Sequence, residues 1–233
     1  MDNTKTENIA RAKASVVDAI VINPSFRLLD AFCCQGGAGE GYARAGFIVE
    51  GVDNKPQPKY PYKFHLSDAL EFIEQNADRF DAFHASPPCQ RWTKAKSIWG
   101  RIYQDWIEPT RNLLDKIGKP YVIENVPGAP LKNPATLSGR MFGLKVIRRR
   151  LFETNWLLLT PPKRTYRGTT NSHRGLSTGG DYISVAGHNF LVDEARQAMR
   201  IDWMTQKGLS QAIPPAYTEW VGRQLLEVCK KGV

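Results

Sequence analysis

The sequence predicts an α/β fold built on a doubly wound, Rossmann-like sheet, with a small additional region near the C-terminus. Three observations carry this expectation. Short apolar runs alternate with stretches of helical periodicity, as in a parallel sheet. The first run, residues 26–32, enters a glycine-rich turn that continues as a helix, which is how a nucleotide-binding βαβ unit begins. Residues capable of chemistry fall just after the apolar runs, where open α/β sheets place their sites.

The chain has 233 residues, enough for one large domain or for one domain with a small appendage, and 42% of them are hydrophobic. No apolar run approaches the ~18 residues of a membrane span. The first residues, from Met1 to Glu7, carry no hydrophobic signal, so a cytosolic location is expected and no membrane partner. Cys33, Cys34, Cys89 and Cys229 include no CxxC spacing. Neither a disulfide framework nor a metal site is expected. The formal charge is +9 and the isoelectric point about 9.4. Basic residues cluster in segments 91–101, 140–150 and 163–174, and the first and last of these, with their edges, also carry Trp92, Trp99, Tyr103, Tyr166 and His173. Cations mixed with aromatic rings suit nucleic acid, the cations for phosphates and the rings for bases.

In chain order, residues 4–20 read as an N-terminal packing helix with Ile9, Ala12, Val16 and Ile20 on one side, ended by Pro24. Strand 26–32 follows, then the glycine turn 33–41 and a helix to Ala45. Glycines there admit close backbone approach to a ligand, and the helix start offers free N–H groups. Strand 47–53 ends in Asp53, a position from which a carboxylate accepts from ribose hydroxyls. A proline-rich loop spans 55–61. Ser67 or Asp68 caps the next helix, and Asp68 is also a candidate contact for an adenine amine. Strand 80–84 leads to the Pro-Pro-Cys turn. A basic, aromatic loop reaches Tyr103, and a helix over 104–117 stops at Gly118, with Pro109 either kinking it or marking its first turn. Strand 120–126 ends in Glu124 and Asn125. Short strands are expected at 148–154 and 156–159, an exposed loop at 161–180, a strand at 181–185, a helix at 192–204 and a closing helix at 214–228. The domain reading is an N-terminal extension over 1–24, a core over 25–154, a small region over 155–191 and returning C-terminal helices over 192–233.

Ser86-Pro87-Pro88-Cys89-Gln90 is the stretch on which the chemistry centres. Two prolines stiffen the chain after a buried strand and deny it both helix and ladder. The thiol that follows sits on a rigid turn at a strand end, which marks Cys89 as a candidate nucleophile. Glu124 and Asn125 end a neighbouring strand at the same edge.

Taken together, and in this order, the motifs resemble the DNA cytosine-5 methyltransferases over about residues 27–226. The turn from Asp30 to Gly41 is similar to that family's S-adenosylmethionine loop, Ser86-Pro87-Pro88-Cys89-Gln90 to its Pro-Cys-Gln motif, and Glu124-Asn125-Val126 to its Glu-Asn-Val motif. Val146-x-Arg148-x-Arg150 resembles the QxRxR motif, and Glu194-Ala195-Arg196 and Gln211-Ala212-Ile213-Pro214-Pro215 resemble the two C-terminal motifs. The resemblance implies S-adenosylmethionine as cofactor, with Asp30, Phe32, Gly36, Gly37, Ala38, Gly39, Asp53, Asp68, Pro87 and Gln211 on its side of the site. It implies Cys89 attack on carbon 6 of a flipped cytosine, Glu124 hydrogen-bonded to ring nitrogen 3, and Arg148 and Arg150 orienting the base and favouring the thiolate. It further implies a mobile loop closing over the base. Gln90, Arg91, Lys94, Lys96 and Arg101, with Lys163, Arg164, Arg167 and Arg174, are the expected contacts to double-stranded DNA. A monomer in a bacterial or phage-infected cytosol is expected. The rival readings are an RNA cytosine-5 methyltransferase and a catalytically silent nucleic-acid-binding protein of the same fold.

Three positions depart from the family pattern. Val146 stands where the family has Gln, Ser210-Gln211 replaces Gly-Asn, and the segment between Phe152 and Val192 is short. In the family that segment reads the target, so a minimal recognition element and a short or relaxed target site are expected.

Overall fold

The computed structural model describes residues 25–92, 103–162, 170–171 and 181–232; the helix expected over 4–20 lies outside them. Strands β1 (Arg27–Ala31), β2 (Ile48–Asp53), β3 (Lys63–Leu66), β4 (Ala82–Ala85) and β5 (Tyr121–Asn125) pair in parallel. Two more strands, β6 (Ala135–Leu137) and β7 (Arg150–Thr154), complete a seven-stranded sheet of order β3-β2-β1-β4-β5-β7-β6. Here β7 runs antiparallel to both β5 and β6. A separate parallel pair is formed by β8 (Thr170–Asn171) and β9 (Tyr182–Ile183). The helices are α1 (Gly37–Ala45), α2 (Ala69–Asn76), α3 (Ile107–Ile117), α4 (Val192–Met199), α5 (Gln206–Gln211) and α6 (Pro215–Lys231).

Successive residues of the central strands serve opposite faces. Leu28 and Val122 pack with Tyr42, Phe152, Tyr217 and Val221 on the face covered by α1 and α6. Leu29 and Ile123 pack with Phe72, Ile73, Phe83 and Leu114 on the face covered by α2 and α3. Burial on both faces explains why these strands read as continuous apolar runs rather than as alternating ones. The pairing of α1 with α6 is close because both helices offer glycine at the contact. A Cβ on Gly41 would lie 2.1 Å from the Thr218 hydroxyl, and one on Gly222 would lie 2.8 Å from the Ala45 Cβ.

Several expectations are corrected. β3, between the loop at 55–61 and the helix cap at 67–68, was not anticipated: Lys63 and His65 break its apolar character because it is an edge strand, and both side chains lie on the buried carboxylate of Glu50, beside Arg27 and Arg79. β6, only three residues long, carried no periodic signal. The strand expected at 156–159 does not form. That segment instead straps α6, with Trp220 Nε1 donating to the Leu159 carbonyl (2.7 Å) and Leu159 N–H donating to Gln224 (3.0 Å). Its apolar run has no ladder partner, and Leu157 is left 82% exposed. The helix expected to reach Met204 stops at Met199, because Arg200 turns left-handed (φ 57°) and sends Ile201 inward. The helix expected from Gln104 begins at Ile107, where Asp105 accepts from its N–H, and Pro109 falls in its first turn. Among the described residues no helix is long and apolar enough to cross a membrane.

The antiparallel strand β7 is locked by a buried ion pair. Arg111 of α3 donates from Nε and Nη2 to the two oxygens of Glu153 (2.6 and 2.8 Å) and to the Pro130 carbonyl, while Lys132 N–H also reaches Glu153. Both partners are buried. Replacing Arg111 by Met is expected to destabilise the protein by about 3–5 kcal/mol, because it leaves an unpaired buried carboxylate. Equilibrium denaturant unfolding measures this, and a combined Arg111→Met/Glu153→Leu variant should recover part of the loss.

Candidate active site

Cys89 is held by the strand it follows. β4 runs into Ser86, whose N–H donates to the Ala31 carbonyl at 3.1 Å and keeps the chain on the sheet edge. Pro87 then offers its carbonyl to Asn125 Nδ2 (2.9 Å), and the Cys89 carbonyl accepts from Trp92 N–H as the chain enters the short turn Gln90–Trp92. Asn125 also accepts from Val126 N–H, so this side chain joins the two loops. The Cys89 thiol is half-buried. Burial raises its pKa, Arg150 opposes that most strongly, Glu124 adds to it, and Arg148 opposes it weakly. The expected cationic help to the thiolate is present, but burial outweighs it.

Glu124 stands beside it. The parallel register sets Ala85 opposite Ile123, so the next residues, Ser86 and Glu124, emerge side by side. Glu124 is 5% exposed. Arg150, at the start of β7, places Nε 3.0 Å from Glu124 Oε1, an oxygen that otherwise lacks a hydrogen-bond partner among the described residues. Burial raises the Glu124 pKa against the opposing pull of Arg150, the Ser86 hydroxyl and Arg148. A carboxyl in that setting holds its proton more readily than an exposed one.

Arg148 is held by backbone carbonyls. Its guanidinium donates to the carbonyls of Ala212 (2.6 Å), Val185 (2.6 Å) and Ser210 (2.8 Å). Burial lowers its pKa to about 9, and its backbone is left-handed at φ 31°. The side chain clasps the end of α5 and the segment after β9 to the start of β7. This clasp fixes the backbone two residues before Arg150. The Val146 position, where a Gln was expected, is buried in the core and bridges to Ile183.

Of the expected cofactor residues, Asp30, Phe32, Asp53 and those at the α1 start lie at the C-terminal edge of β1 and β2. The α1 N-terminus has Gly36 as its cap in a left-handed conformation (φ 82°) with no side-chain cap, which leaves first-turn N–H groups available. Asp53 accepts from Cys34 N–H and Lys55 N–H, both at 3.0 Å, one on each oxygen. A carboxylate has about four acceptor sites, so room remains for two hydroxyls. Asp30 is buried, and its Oδ1 lacks a partner among the described residues, while Oδ2 accepts from Tyr60 at 3.3 Å. Burial holds the Asp30 pKa well up. This donor and acceptor set fits a ligand carrying hydroxyl and ammonium groups. The glycines are explained differently from expectation: a Cβ on Gly37 would meet the Ile213 carbonyl at 2.5 Å, and one on Gly39 would meet Asp30 and Tyr60 at 2.9 Å. Packing within the chain requires them. The left-handed turns fall on Phe32 (φ 58°) and Cys34 (φ 46°) as well as on Gly36. Ala38 is buried in the first turn of α1. Asp68 caps α2, with Oδ1 accepting from Leu70 and Glu71 N–H, which is the first of its two expected roles. Gln211 is exposed at the end of α5, next to the Ala212-Ile213 pair that packs on Gly37.

Sequence reasoning missed three contributors. Gln35 joins the glycine turn to Thr205 at the α5 cap (3.0 Å) and takes the Trp203 indole N–H on its carbonyl (2.8 Å). Tyr60 fills the space over Gly51 and Gly39. Ser86 was quoted only as part of a motif, although the strand register could have flagged it. Of the expected nucleic-acid contacts, Gln90 is exposed and Arg91 donates to the Tyr103 carbonyl (2.9 Å) while lying over the Trp92 ring. Lys94, Lys96, Arg101, Lys163, Arg164, Arg167 and Arg174 lie outside the described residues, as do the rest of the expected mobile loop and most of loop 161–180. All four cysteines are free, and among the described residues no cluster of three or more His, Cys, Asp or Glu is placed to hold a metal ion.

No protein-family model matches the chain. A curated relative, the type II methyltransferase M.FnuDI of Fusobacterium nucleatum, is 27% identical over 115 residues, covering 44% of this chain and 33% of that protein, so the chain spans about a third of the relative's length. Among solved structures, the S. pombe Dnmt2 methyltransferase superposes with TM-score 0.57 at 13% identity, covering 87% of this chain and 98% of that one. That likeness concerns the fold: a mostly parallel, Rossmann-like methyltransferase sheet with helices on both faces.

Two outcomes follow from this geometry. Iodoacetamide modification of Cys89, read by peptide mass spectrometry, should be slow at neutral pH and accelerate as pH rises, because the thiolate fraction grows with pH and burial delays it. Arg150→Met removes the largest opposing cation and should slow the reaction further. Arg148→Met should lower stability by roughly 3 kcal/mol in denaturant unfolding, since it strands buried carbonyls. A guanidinium reserved for substrate would leave stability unchanged.

Proposed function

We propose that the chain is a DNA cytosine-5 methyltransferase acting through a covalent Cys89 adduct. The observation that carries this is the convergence of the Cys89 thiol and the buried Glu124 carboxyl at adjacent strand ends, with Arg150 paired to Glu124. S-adenosylmethionine is the cofactor that the methyltransferase relatives imply, and when bound it supplies an electrophilic methyl group on a sulfonium sulfur. Residues of the α1 start, with Asp53 and Asp30, would hold it.

Carbon 5 of cytosine is a poor nucleophile. Attack of Cys89 on carbon 6 moves the ring's electrons toward carbon 5 and nitrogen 3. Glu124, whose pKa burial raises, would give its proton to nitrogen 3 and so remove the charge that would otherwise build there. After methyl transfer, a water molecule takes the carbon-5 proton, the pair left behind re-forms the carbon 5–carbon 6 double bond as Cys89 leaves with its bonding pair, and nitrogen 3 returns its proton to Glu124. The base must be flipped out of a duplex to reach this edge. Residues 155–191 form the reduced target-recognition region. Their attachment through Arg148 to the start of β7 ties base selection to the position of Arg150. The basic balance of the chain supplies the nonspecific affinity for phosphates.

Incubation with methyl-labelled S-adenosylmethionine and duplex DNA, followed by nucleoside analysis, should yield 5-methylcytosine. Label in RNA but not in DNA would move the substrate to RNA, and label in neither would overturn the reading. Cys89→Ser should abolish transfer while cofactor binding, followed by calorimetry, persists. Glu124→Gln should lower kcat by about 100-fold or more. DNA affinity should fall steeply between low and moderate salt.

A further inference from the structure

A buried hydrogen-bonded chain leads from the cofactor-side helix to Glu124. Tyr42 of α1 places its hydroxyl 2.9 Å from His84 Nδ1, and His84 Nε2 lies 2.8 Å from the Ser86 hydroxyl. Tyr42 and His84 are both fully buried, their rings 5.2 Å apart. Ser86 emerges beside Glu124 at the same strand edge, and its hydroxyl pulls the Glu124 pKa down, as a donor facing a carboxyl does.

The chain has one orientation in which every proton is used. Burial lowers the His84 pKa to about 3, so the ring is neutral and carries a single N–H. Burial likewise keeps the Tyr42 hydroxyl protonated. Were the imidazole proton on Nδ1, it would point at the Tyr42 oxygen, Ser86 would donate to Nε2, and the Tyr42 O–H would be stranded. Among the described residues, His84 is the hydrogen-bond partner of that hydroxyl. With the proton on Nε2, Tyr42 donates to Nδ1, His84 donates to Ser86, and the Ser86 proton is left free to turn toward Glu124, which ends the neighbouring strand.

We propose that Tyr42, His84 and Ser86 form a one-way hydrogen-bond chain that directs the Ser86 proton at Glu124 and stabilises the carboxylate left when Glu124 protonates the target base. Ser86, His84 and Tyr42 are thus positioning residues. As the Cys89 sulfur bonds to carbon 6, the carbon 5–carbon 6 π pair shifts into the ring, nitrogen 3 takes the Glu124 proton, and Glu124 becomes anionic in an apolar setting. That anion is costly unless donors already face it. Arg150 and Ser86 supply them from two sides; Arg148, Cys89, Tyr42 and Tyr217 are the other titratable groups that act electrostatically on Glu124. The assignment of the reaction rests on the function proposed above, whereas the direction of the chain does not.

The test uses the full chain labelled with 15N-histidine and 13C-carboxyl glutamate. NMR should show His84 neutral with its proton on Nε2 from pH 6 to 8, and the Glu124 titration midpoint should move to higher pH in Ser86→Ala and in Tyr42→Phe. His84→Leu should do the same, and His84→Gln, whose amide can donate to Ser86, should return the midpoint toward that of the wild type. A proton on Nδ1, or an unchanged midpoint in Ser86→Ala, would overturn the chain. In turnover, Ser86→Ala should lower kcat about tenfold or more while KM for DNA and for S-adenosylmethionine changes less than about twofold. An unchanged kcat would sink the catalytic role. If the wild type transfers no methyl to cytosine while the NMR result holds, the cytosine reading and the catalytic role fail, and the directed proton on Glu124 stands. Should His84→Leu lose its cooperative melt, Ser86→Ala and Tyr42→Phe decide the matter.

Discussion

The parallel register of β1, β4 and β5 is the constraint on which the rest depends. Ala31 faces Ala85, and Ala85 faces Ile123, so three strands end together and their following residues share one edge. The Ser86 N–H on Ala31 and the Asn125 amide on Pro87 carry that alignment past the last ladder bond into the loops. A one-residue slip of β5 would turn Glu124 to the opposite face of the sheet. The apolar residues on both faces make such a slip expensive, so the core that stabilises the sheet also sets the distance between thiol and carboxyl.

Antiparallel β7 adds the third group from the other side. Its pairing sets Glu124 opposite Phe152 and brings Arg150 to the edge where Glu124 ends. Arg148, two residues earlier, is drawn into the core by three backbone carbonyls, and that anchorage explains why one arginine of the motif reaches the acid while the other cannot. The electrostatics are then a competition. Burial raises the pKa of Cys89 and of Glu124, and the arginines hold both back. For Glu124 this favours the protonated form that donation to a ring nitrogen needs; for Cys89 it works against the thiolate and makes nearby cations necessary.

Much of this was legible before any coordinates. The apolar runs at 26–32, 47–53, 80–84 and 120–126 contain β1, β2, β4 and β5 because strands buried on both faces must be continuously apolar. Asp68 and Pro215 marked helix starts through local chemistry alone. The failures share a cause. Lys63 and His65 disguise β3 because an edge strand can carry charge, and the run Trp156-Leu157-Leu158-Leu159 looks like a strand although nothing pairs with it. Whether a segment becomes a strand depends on a partner distant in the chain, and local pattern does not record the partner. The glycine turn was found as a ligand-approach motif, and packing adds a second reason for it: Gly37 and Gly39 leave space for Ile213 and Tyr60.

The sequence by itself determined the class of fold, the strand-end positions of Cys89, Glu124 and Asp53, and the methyltransferase resemblance, because these depend on short-range periodicity and on residue identity in order. Tertiary structure alone decided which polar groups meet. Arg148 and Arg150 are equivalent on paper and meet different partners, and His84 is satisfied by Tyr42 and by a serine that ends its strand beside Glu124. Hydrogen bonds and ion pairs act over about 3 Å, and only the packed fold brings residues from α1, β4, β5 and β7 within that reach.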